Sequence, residues 1–369
     1  MEDAFRFADE LGPLKIVQIW RPALGLKAVV AIDNVACGPS IGGLRMAPDV
    51  TVEEAFRLAR AMTLKNAAAG LPHGGGKSVI FADPKMSQIE KETLIRAFAG
   101  SIADLTEYIP GPDMGTDELA MAWIKDENGR AVGLPPELGG IPLDVIGATG
   151  FGLAAAIEVA AEYLSMPLSG AKFVVQGFGS VGKHVARLLA EKGAVLVGAS
   201  DSQGGIADDN GLDIARLTTL KESGRALRDH PSGRKLSRDA VIDIPCDIWI
   251  PAARPDVISG ANVARLSTRL VAQGANIPCT AEAETELARR GVLVLPDFIA
   301  NAGGVICAAV EYHGGTEASA FGAIDEKIRT NTRAVLKAGG LPRAAALALA
   351  RERIERAMRT RRWHHKARR

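Results

Sequence analysis

Lys172-Phe173-Val174-Val175-Gln176 runs directly into Gly177-Phe178-Gly179-Ser180-Val181-Gly182. The first five residues read as a buried strand, and the next six match G-x-G-x-x-G. Helical apolar spacing follows from Ser180 to Lys192, and Val195-Leu196-Val197-Gly198-Ala199 reads as a second strand. Glycines alone would be weak evidence. A strand before them, a helix after them and an acidic residue, Asp201, about twenty residues further on make the pattern specific for a dinucleotide site. The glycines allow a tight turn and let a pyrophosphate approach the helix N-terminus. Asp201 offers an acceptor to a ribose 2′-hydroxyl, so NAD is the expected cofactor. Ser200 and Ser202 can donate to a 2′-phosphate and no Arg follows directly, which leaves NADP open.

Working outward, Asp247-Ile248-Trp249-Ile250, Leu270-Val271-Ala272 and Val292-Leu293-Val294-Leu295 are further short apolar strands, and Thr149 to Leu164 is a helix. Strands alternating with helices predict a doubly wound parallel sheet of Rossmann type. Before it, Gly129 to Gly147 is rich in Gly and Pro and reads as a link between domains. Upstream, Ala28-Val29-Val30-Ala31-Ile32 is a buried strand. Thr51-Val52-Glu53-Glu54 is a capping box that opens a helix stopped by Gly70 and Pro72, with Lys65 in its last turns. Ser78-Val79-Ile80-Phe81 reads as a strand and Ser87-Gln88-Ile89-Glu90 as a second capping box. Gly111 to Thr116 reads as a loop, Asp117 to Asp126 as a helix, and the stretch from about Phe321 as helical. The expectation is an α/β protein of two domains. Residues 1–140 form an N-terminal α/β substrate and oligomerisation domain, rejoined by C-terminal helices 325–369, and residues 141–324 form the dinucleotide-binding domain.

Composition narrows the function. The 369 residues carry 44 Lys plus Arg against 43 Asp plus Glu, so no overall field favours nucleic acid or membrane. The basic end from Arg359 to Arg369 reads as a solvated, frayed tail. Met1-Glu2-Asp3 lacks a basic n-region, and no apolar run is long enough to span a bilayer. Cys37, Cys246, Cys279 and Cys307 are scattered without zinc spacing, which suits reduced thiols in a cytoplasmic protein. His364-His365 lies in the tail, and no metal site is expected.

The candidate chemistry lies at Gly74-Gly75-Gly76-Lys77, with Lys65 upstream. Gly76-Lys77-Ser78 looks like the end of a Walker A loop, but that motif needs a glycine where Leu71 stands, and this lysine precedes a strand. Glycines permit close approach, and an amine in a dry cleft loses its proton near neutral pH. The pair of lysines suits amine or carbonyl chemistry on a small acidic molecule.

Several stretches together resemble the glutamate/leucine/phenylalanine/valine dehydrogenase family: Gly42-Gly43-Leu44-Arg45-Met46, Met62 to Ala67, Leu71 to Lys77, Gly111 to Thr116, Ala148-Thr149-Gly150, Gly274-Ala275-Asn276 and Asn301-Ala302-Gly303-Gly304-Val305. The resemblance covers about Val29 to Val310. It implies reversible, NAD-linked oxidative deamination of an L-amino acid to its 2-oxo acid and ammonia. It also implies a cleft between domains and a homo-oligomer. Lys65 is similar to the lysine that holds the substrate α-carboxylate, Lys77 to the catalytic lysine, and Asp113 to the acid/base facing the amino group. Thr149 and Asn276 resemble residues seating the nicotinamide end. The same resemblance places Gly43 at the substrate and Ala252 with Gly177, Phe178, Gly179, Ser180, Val181, Gly182 and Asp201 at the cofactor.

The chain departs from the glutamate-specific pattern at two positions. Ile41 stands where those enzymes carry a lysine, and Ala308 where they carry a serine. Without them a buried γ-carboxylate lacks a partner and is costly. An apolar substrate side chain (Leu, Val, Ile or Phe) packed on Ile41, Val305 and Ala308 is therefore expected. Gly274-Ala275-Asn276-Ile277-Pro278 and Ser200-Asp201-Ser202 look more like glutamate enzymes. Two alternatives stay open: a glutamate dehydrogenase with an altered pocket, and a non-catalytic binding or regulatory protein on the same scaffold.

Overall fold

The structure is a computed structural model and describes residues 5–360. The first stretch of chain builds β1 (Lys15–Arg21), β2 (Leu26–Asn34), β3 (Ser40–Met46), α1 (Val52–Ala68), β4 (Gly74–Ile80), α2 (Gln88–Ser101), β5 (Tyr108–Pro112) and α3 (Glu118–Asn128). Their sheet has the order β1-β2-β4-β3-β5. β2 runs antiparallel to β1 and β4, while β3 is parallel to both β4 and β5. Strand alternation sorts the side chains onto two faces. Val29, Ala31 and Val79 pack with Ala55 and Ala59 of α1 on one face. Val30, Ile32, Leu44 and Ile80 pack with Ile95, Phe98, Met121 and Ile124 of α2 and α3 on the other. Thr51 caps α1 by accepting from the Glu54 N–H, and Ser87 with Glu90 closes a full capping box on α2.

Two local expectations need correction here. The strand expected at Ser78 begins at Gly74, so Lys77 lies inside a strand rather than before one. Its glycines serve close packing. A Cβ on Gly75 would sit 2.0 Å from the Thr63 nitrogen of α1, and one on Gly74 would sit 1.7 Å from the Asn34 carbonyl oxygen. Likewise Gly111 and Pro112 close β5 by pairing with Gly43 and Leu44, and the irregular turn starts only at Asp113.

The chain continues with α4 (Ala148–Tyr163), β6 (Lys172–Gln176), α5 (Ser180–Glu191), β7 (Val195–Asp201), β8 (Gly204–Ala207), α6 (Ile214–Glu222), β9 (Arg234–Leu236), β10 (Ile248–Pro251), β11 (Leu270–Ala272), α7 (Ala281–Arg289), β12 (Leu293–Leu295) and α8 (Asp297–Ala300). The second sheet has the order β12-β11-β10-β6-β7-β8-β9. Five of its strands are parallel, and β8 and β9 are antiparallel. The sheet is therefore mixed at one edge. β7 turns back through Ser202 and Gln203 into the glycine-rich β8, whose side chains carry too little apolar pattern to read as a strand.

Three helices complete the described chain: α9 (Gly303–Tyr312), α10 (Glu317–Ala338) and α11 (Pro342–Thr360). The contacts divide the chain into two units. One holds residues up to Pro142, Val305–Ala320 and the chain from Ala348; the other holds Leu143–Gly304 and Phe321–Leu347. The chain thus rejoins the first unit at Val305, ahead of the expected 325, and Phe321–Leu347 stays with the second. Packing explains this. Gly152 of α4 leaves room for Ile324 and Ile328 of α10, and Arg329 Nη2 pairs with Glu158 Oε2 at 3.0 Å. No helix of the described residues is long and apolar enough to cross a membrane. The acidic first residues and the basic tail from Arg361, including His364-His365, lie outside the described residues.

Candidate active site

β4 carries Lys77 in register with Ala31 of β2. Only 7% of the residue is exposed. Its Nζ contacts Oδ2 of Asp113, the first residue after β5. The turn holding Asp113 is pinned from three sides. The Asp113 N–H donates to Thr116 Oγ1 at 3.0 Å, Thr116 Oγ1 donates to the Leu44 carbonyl at 2.7 Å, and the Met114 N–H donates to Asp113 Oδ1 at 2.6 Å. Gly43 of β3 forms the floor. A Cβ there would sit 2.8 Å from Asp113 Cβ and 3.1 Å from Lys77 Nζ.

Burial pushes the Lys77 ammonium down from its ordinary 10.5 to about 7; the cations Arg45 and Lys65 lower it further, and Glu54 opposes them. Lys65, half-buried in the last turn of α1, acts on Lys77 as a like charge. Arg45 joins them although no motif assigns it a role. Its Nη2 lies 3.4 Å from Asp113 Oδ1, and its Nη1 is bonded to Glu54. The only signal for it was its place in the Gly42 to Met46 stretch.

Ile41 and Ala308 are buried, and Val305 is half-buried; all three belong to the first unit. Ile41 sits in β3, paired with Gly75 and Ile109. Ala308 and Val305 lie on α9, which two further contacts tie to the same unit. His73 Nε2 is 3.0 Å from His313 Nε2, with His73 Nδ1 on the Pro39 carbonyl. Burial pushes the His73 imidazole down to about 4. The buried Glu311 carboxylate accepts from the N–H groups of Gly133, Leu134 and Ile141. Neither tie has a local signature in the sequence.

In the second unit the carboxyl ends of β6, β7 and β10 frame a cavity lined by Gln176, Gly177, Gly179, Asp201, Lys221 and Arg254 among others. It fits a dinucleotide on two observations. Gln176 Oε1 and Ser200 Oγ, both on its lining, are buried without partners. Gly177 has φ +97, and a Cβ on it would press on Ala252 at 2.8 Å, while Gly179 faces open space. The first-turn N–H groups of α5 have no intrahelical partners and suit an anion.

Some expected contacts are already used inside the chain. The Phe178 ring is buried and its N–H donates to the Ser200 carbonyl, as does that of Gly177. Ser180 Oγ donates to the Asp144 carbonyl at 2.9 Å. Val181 packs its Cγ1 toward Gly274. Asp201 accepts from Lys221 Nζ at 2.9 Å, the Leu227 N–H at 3.0 Å and the Gln203 N–H at 2.8 Å. No Arg follows Asp201 directly in sequence, yet the fold brings Lys221, Arg238 and Arg254 to the same cavity. Thr149 is the second residue of α4, with Gly304 of α9 close enough that a Cβ would sit 3.1 Å from its Oγ1. Asn276 accepts at Oδ1 from Asn301 Nδ2 at 3.0 Å.

Comparison with known proteins gives these features a lineage. A family model described as Glutamate/Leucine/Phenylalanine/Valine dehydrogenase matches residues 139–362, and one described as the Glu/Leu/Phe/Val dehydrogenase dimerisation domain matches residues 17–130. The glutamate dehydrogenase of Aeropyrum pernix is 39% identical over 358 residues, covering 89% of this chain and 85% of that protein. The NADP-specific glutamate dehydrogenase of Saccharolobus shibatae is 36% identical over 318 residues, covering 82% and 72%. A crystal structure of the hetero-hexameric glutamate dehydrogenase of Thermus thermophilus in a Leu-bound form superposes with a TM-score of 0.85 at 30% identity, covering 95% of this chain and 91% of that one. With both domain models matched and relatives similar over most of its length, the chain belongs to the Glu/Leu/Phe/Val dehydrogenase family of NAD(P)-dependent amino-acid dehydrogenases acting on CH–NH2 groups.

Proposed function

We propose that this enzyme catalyses the reversible oxidative deamination of an L-amino acid with an apolar side chain, releasing the 2-oxo acid and ammonia. The observation that carries the chemistry is the buried contact between Lys77 and Asp113, with the lysine depressed to about 7. A nicotinamide nucleotide, held at the cavity of Gln176, Gly177, Gly179 and Asp201, would supply the acceptor for the hydride of the substrate α-carbon. The residues then manage charge and protons. Lys65 holds the α-carboxylate. Lys77, neutral for part of the time at pH 7, takes a proton from the water that adds to the electron-poor carbon. Asp113 exchanges protons with the departing nitrogen. Each works in a site where burial magnifies charge.

The apolar preference rests on Ile41 and Ala308, which offer a second carboxylate neither a cation nor a hydroxyl. The names of the relatives favour the other reading, glutamate itself. A panel of L-amino acids assayed with NAD and NADP separates the two. Leucine, valine, isoleucine or phenylalanine should turn over with higher kcat/KM than glutamate; a clear glutamate preference refutes the apolar pocket. An intact Lys77 and Asp113 with no turnover of any amino acid would favour a binding protein.

For the cofactor, Asp201 supports NAD as first expected. Its carboxylate is largely committed to internal donors, while Lys221, Arg238 and Arg254 supply positive charge beside Ser200 and Ser202. We therefore propose that NADP is accepted alongside NAD. An NADP efficiency below about one hundredth of that with NAD, a gap of ~3 kcal/mol, would reject this. A homo-oligomer is also proposed, supported by the matched dimerisation-domain model and the hexameric Thermus relative. Light scattering on the purified protein tests it.

A further inference from the structure

Three non-glycine residues among those described have positive φ: Ser165, Asp256 and Ile277. Two of them are linked, because the Asp256 N–H donates to the Ile277 carbonyl at 2.9 Å. Ile277, at φ +48, is β-branched, and such a side chain stays in the left-handed region only where its surroundings over-determine it. Its side chain does not hold it there, since the residue is 47% exposed. Backbone bonds do. The Ile277 N–H donates to Asp297 Oδ2 at 2.8 Å.

Asp297 is itself fixed. It is 5% exposed, and its Oδ1 takes Arg343 Nη2 at 2.9 Å. The Arg343 fork also spans Glu284, at 2.7 Å from both Nε and Nη2, and reaches Gln273 Oε1 at 2.9 Å. Gln273 Oε1 in turn accepts the Asp297 N–H at 3.2 Å. From the other direction Asn301 Nδ2 donates to the Ala275 carbonyl at 3.1 Å and to Asn276 Oδ1 at 3.0 Å. Two buried side chains, Asp297 and Asn301, therefore grip one short exposed turn, and Asn276 lies between the gripped positions.

We propose that Asp297, held by Arg343, is a positioning residue for the dinucleotide: it locks the Ala275-Asn276-Ile277 turn so that Asn276 presents its amide in one orientation to the bound nicotinamide nucleotide. The proposal rests on the reading of Asn276 as a cofactor residue given above. Asp297 acts through the Ile277 backbone, and Arg343 acts through Asp297. Asn301 sets which end of the Asn276 amide faces outward.

The test measures NADH binding to the full-length protein by fluorescence, with the substrate KM as a control. Asp297→Asn should weaken NADH binding about tenfold or more and leave the amino-acid KM within about twofold. Arg343→Lys should lie between wild type and Arg343→Met. Ile277→Gly removes the conformational strain that Asp297 counteracts, so Asp297→Asn in that background should cost less than about threefold. NADH affinity unchanged in Asp297→Asn, or an equal loss in both backgrounds, overturns the proposal. Should Asp297→Asn fail to fold, Arg343→Lys is read in its place, and wild-type affinity there overturns it as well. Absence of NADH binding by the wild-type protein would instead sink the cofactor assignment, and this proposal with it.

Discussion

Arg45 and Lys77 hold opposite oxygens of one carboxylate: Arg45 Nη2 lies 3.4 Å from Asp113 Oδ1, while Lys77 Nζ contacts Oδ2. Asp113 is thereby kept between a permanent cation and a titrating one. The arginine repels the proton on the lysine and so tunes it.

Removing that repulsion should move the pH profile. In Arg45→Gln the Lys77 ammonium is less disfavoured, so its pKa rises. With Lys77 as the proposed base, the acid limb of kcat/KM for deamination should then shift to higher pH by up to about one unit. A limb that stays in place, or moves to lower pH, contradicts the coupling.

The same lysine makes stability depend on pH. Its pKa is lower in the folded chain than in the unfolded one, so the unfolded state binds more protons between about 7 and 10.5. Stability should rise with pH across that window. The contribution is complete above 10.5 and gone below about 7. Denaturant melts of wild type and Lys77→Met across the window measure it: the difference between the two curves should grow with pH in favour of wild type.

Gly43→Ala should damage activity far more than stability. Its Cβ would push on Asp113 Cβ at 2.8 Å and Lys77 Nζ at 3.1 Å. If Lys77 and Asp113 act as proposed, a displacement of under an ångström there is expected to lower kcat roughly 10²-fold. Kinetics paired with a thermal melt will show whether the loss is local.

Two helix or strand glycines should respond with opposite sign. Gly100 lies in α2 with nothing near its missing side chain, so Gly100→Ala should stabilise by about 0.5–1 kcal/mol. Gly75→Ala would drive a methyl into the Thr63 nitrogen and the Ala59 carbonyl of α1. Soluble yield and melting temperature should both fall sharply.

Glu311→Gln puts an amide where three backbone N–H groups converge on a carboxylate. Losing charge assistance and misplacing one donor should cost roughly 2–3 kcal/mol. Equilibrium unfolding reads this directly; a change under about 0.5 kcal/mol would show the clamp to be dispensable.

The dinucleotide-binding half was legible because its signals are local. Strand, glycine turn and helix from Lys172 to Lys192 follow one another in sequence, and the strand bounds at Lys172–Gln176 and Leu270–Ala272 coincide with those read in advance. The antiparallel β8 and β9 were not legible, since Gly204-Gly205-Ile206-Ala207 carries little pattern. At the candidate site Lys77 and Asp113 stand out in the sequence and meet in the structure, but the strand position of Lys77 was not legible. A run of three glycines ordinarily marks a turn, and only the tertiary approach of α1 and Asn34 explains it as a strand. Arg254 and Arg238 beside Asp201 could not be found by scanning forward from the acidic residue. They lie far along the chain and arrive through the sheet. The Asp297–Arg343 pair spans 46 positions and likewise has no local signature.

Gly74, Gly75 and Gly76 each abut a different neighbour: Asn34, the backbone of α1, and Ser40 with Tyr108. β4 is thus riveted in place by main chain touching main chain at Gly74 and Gly75, and by the side chains of Ser40 and Tyr108 closing on Gly76. On the proposed reading, exchanging Ile41 or Ala308 should alter substrate preference while the position of Lys77 is kept. Laboratory evolution toward new amino acids should accumulate changes at those positions and spare the glycine run.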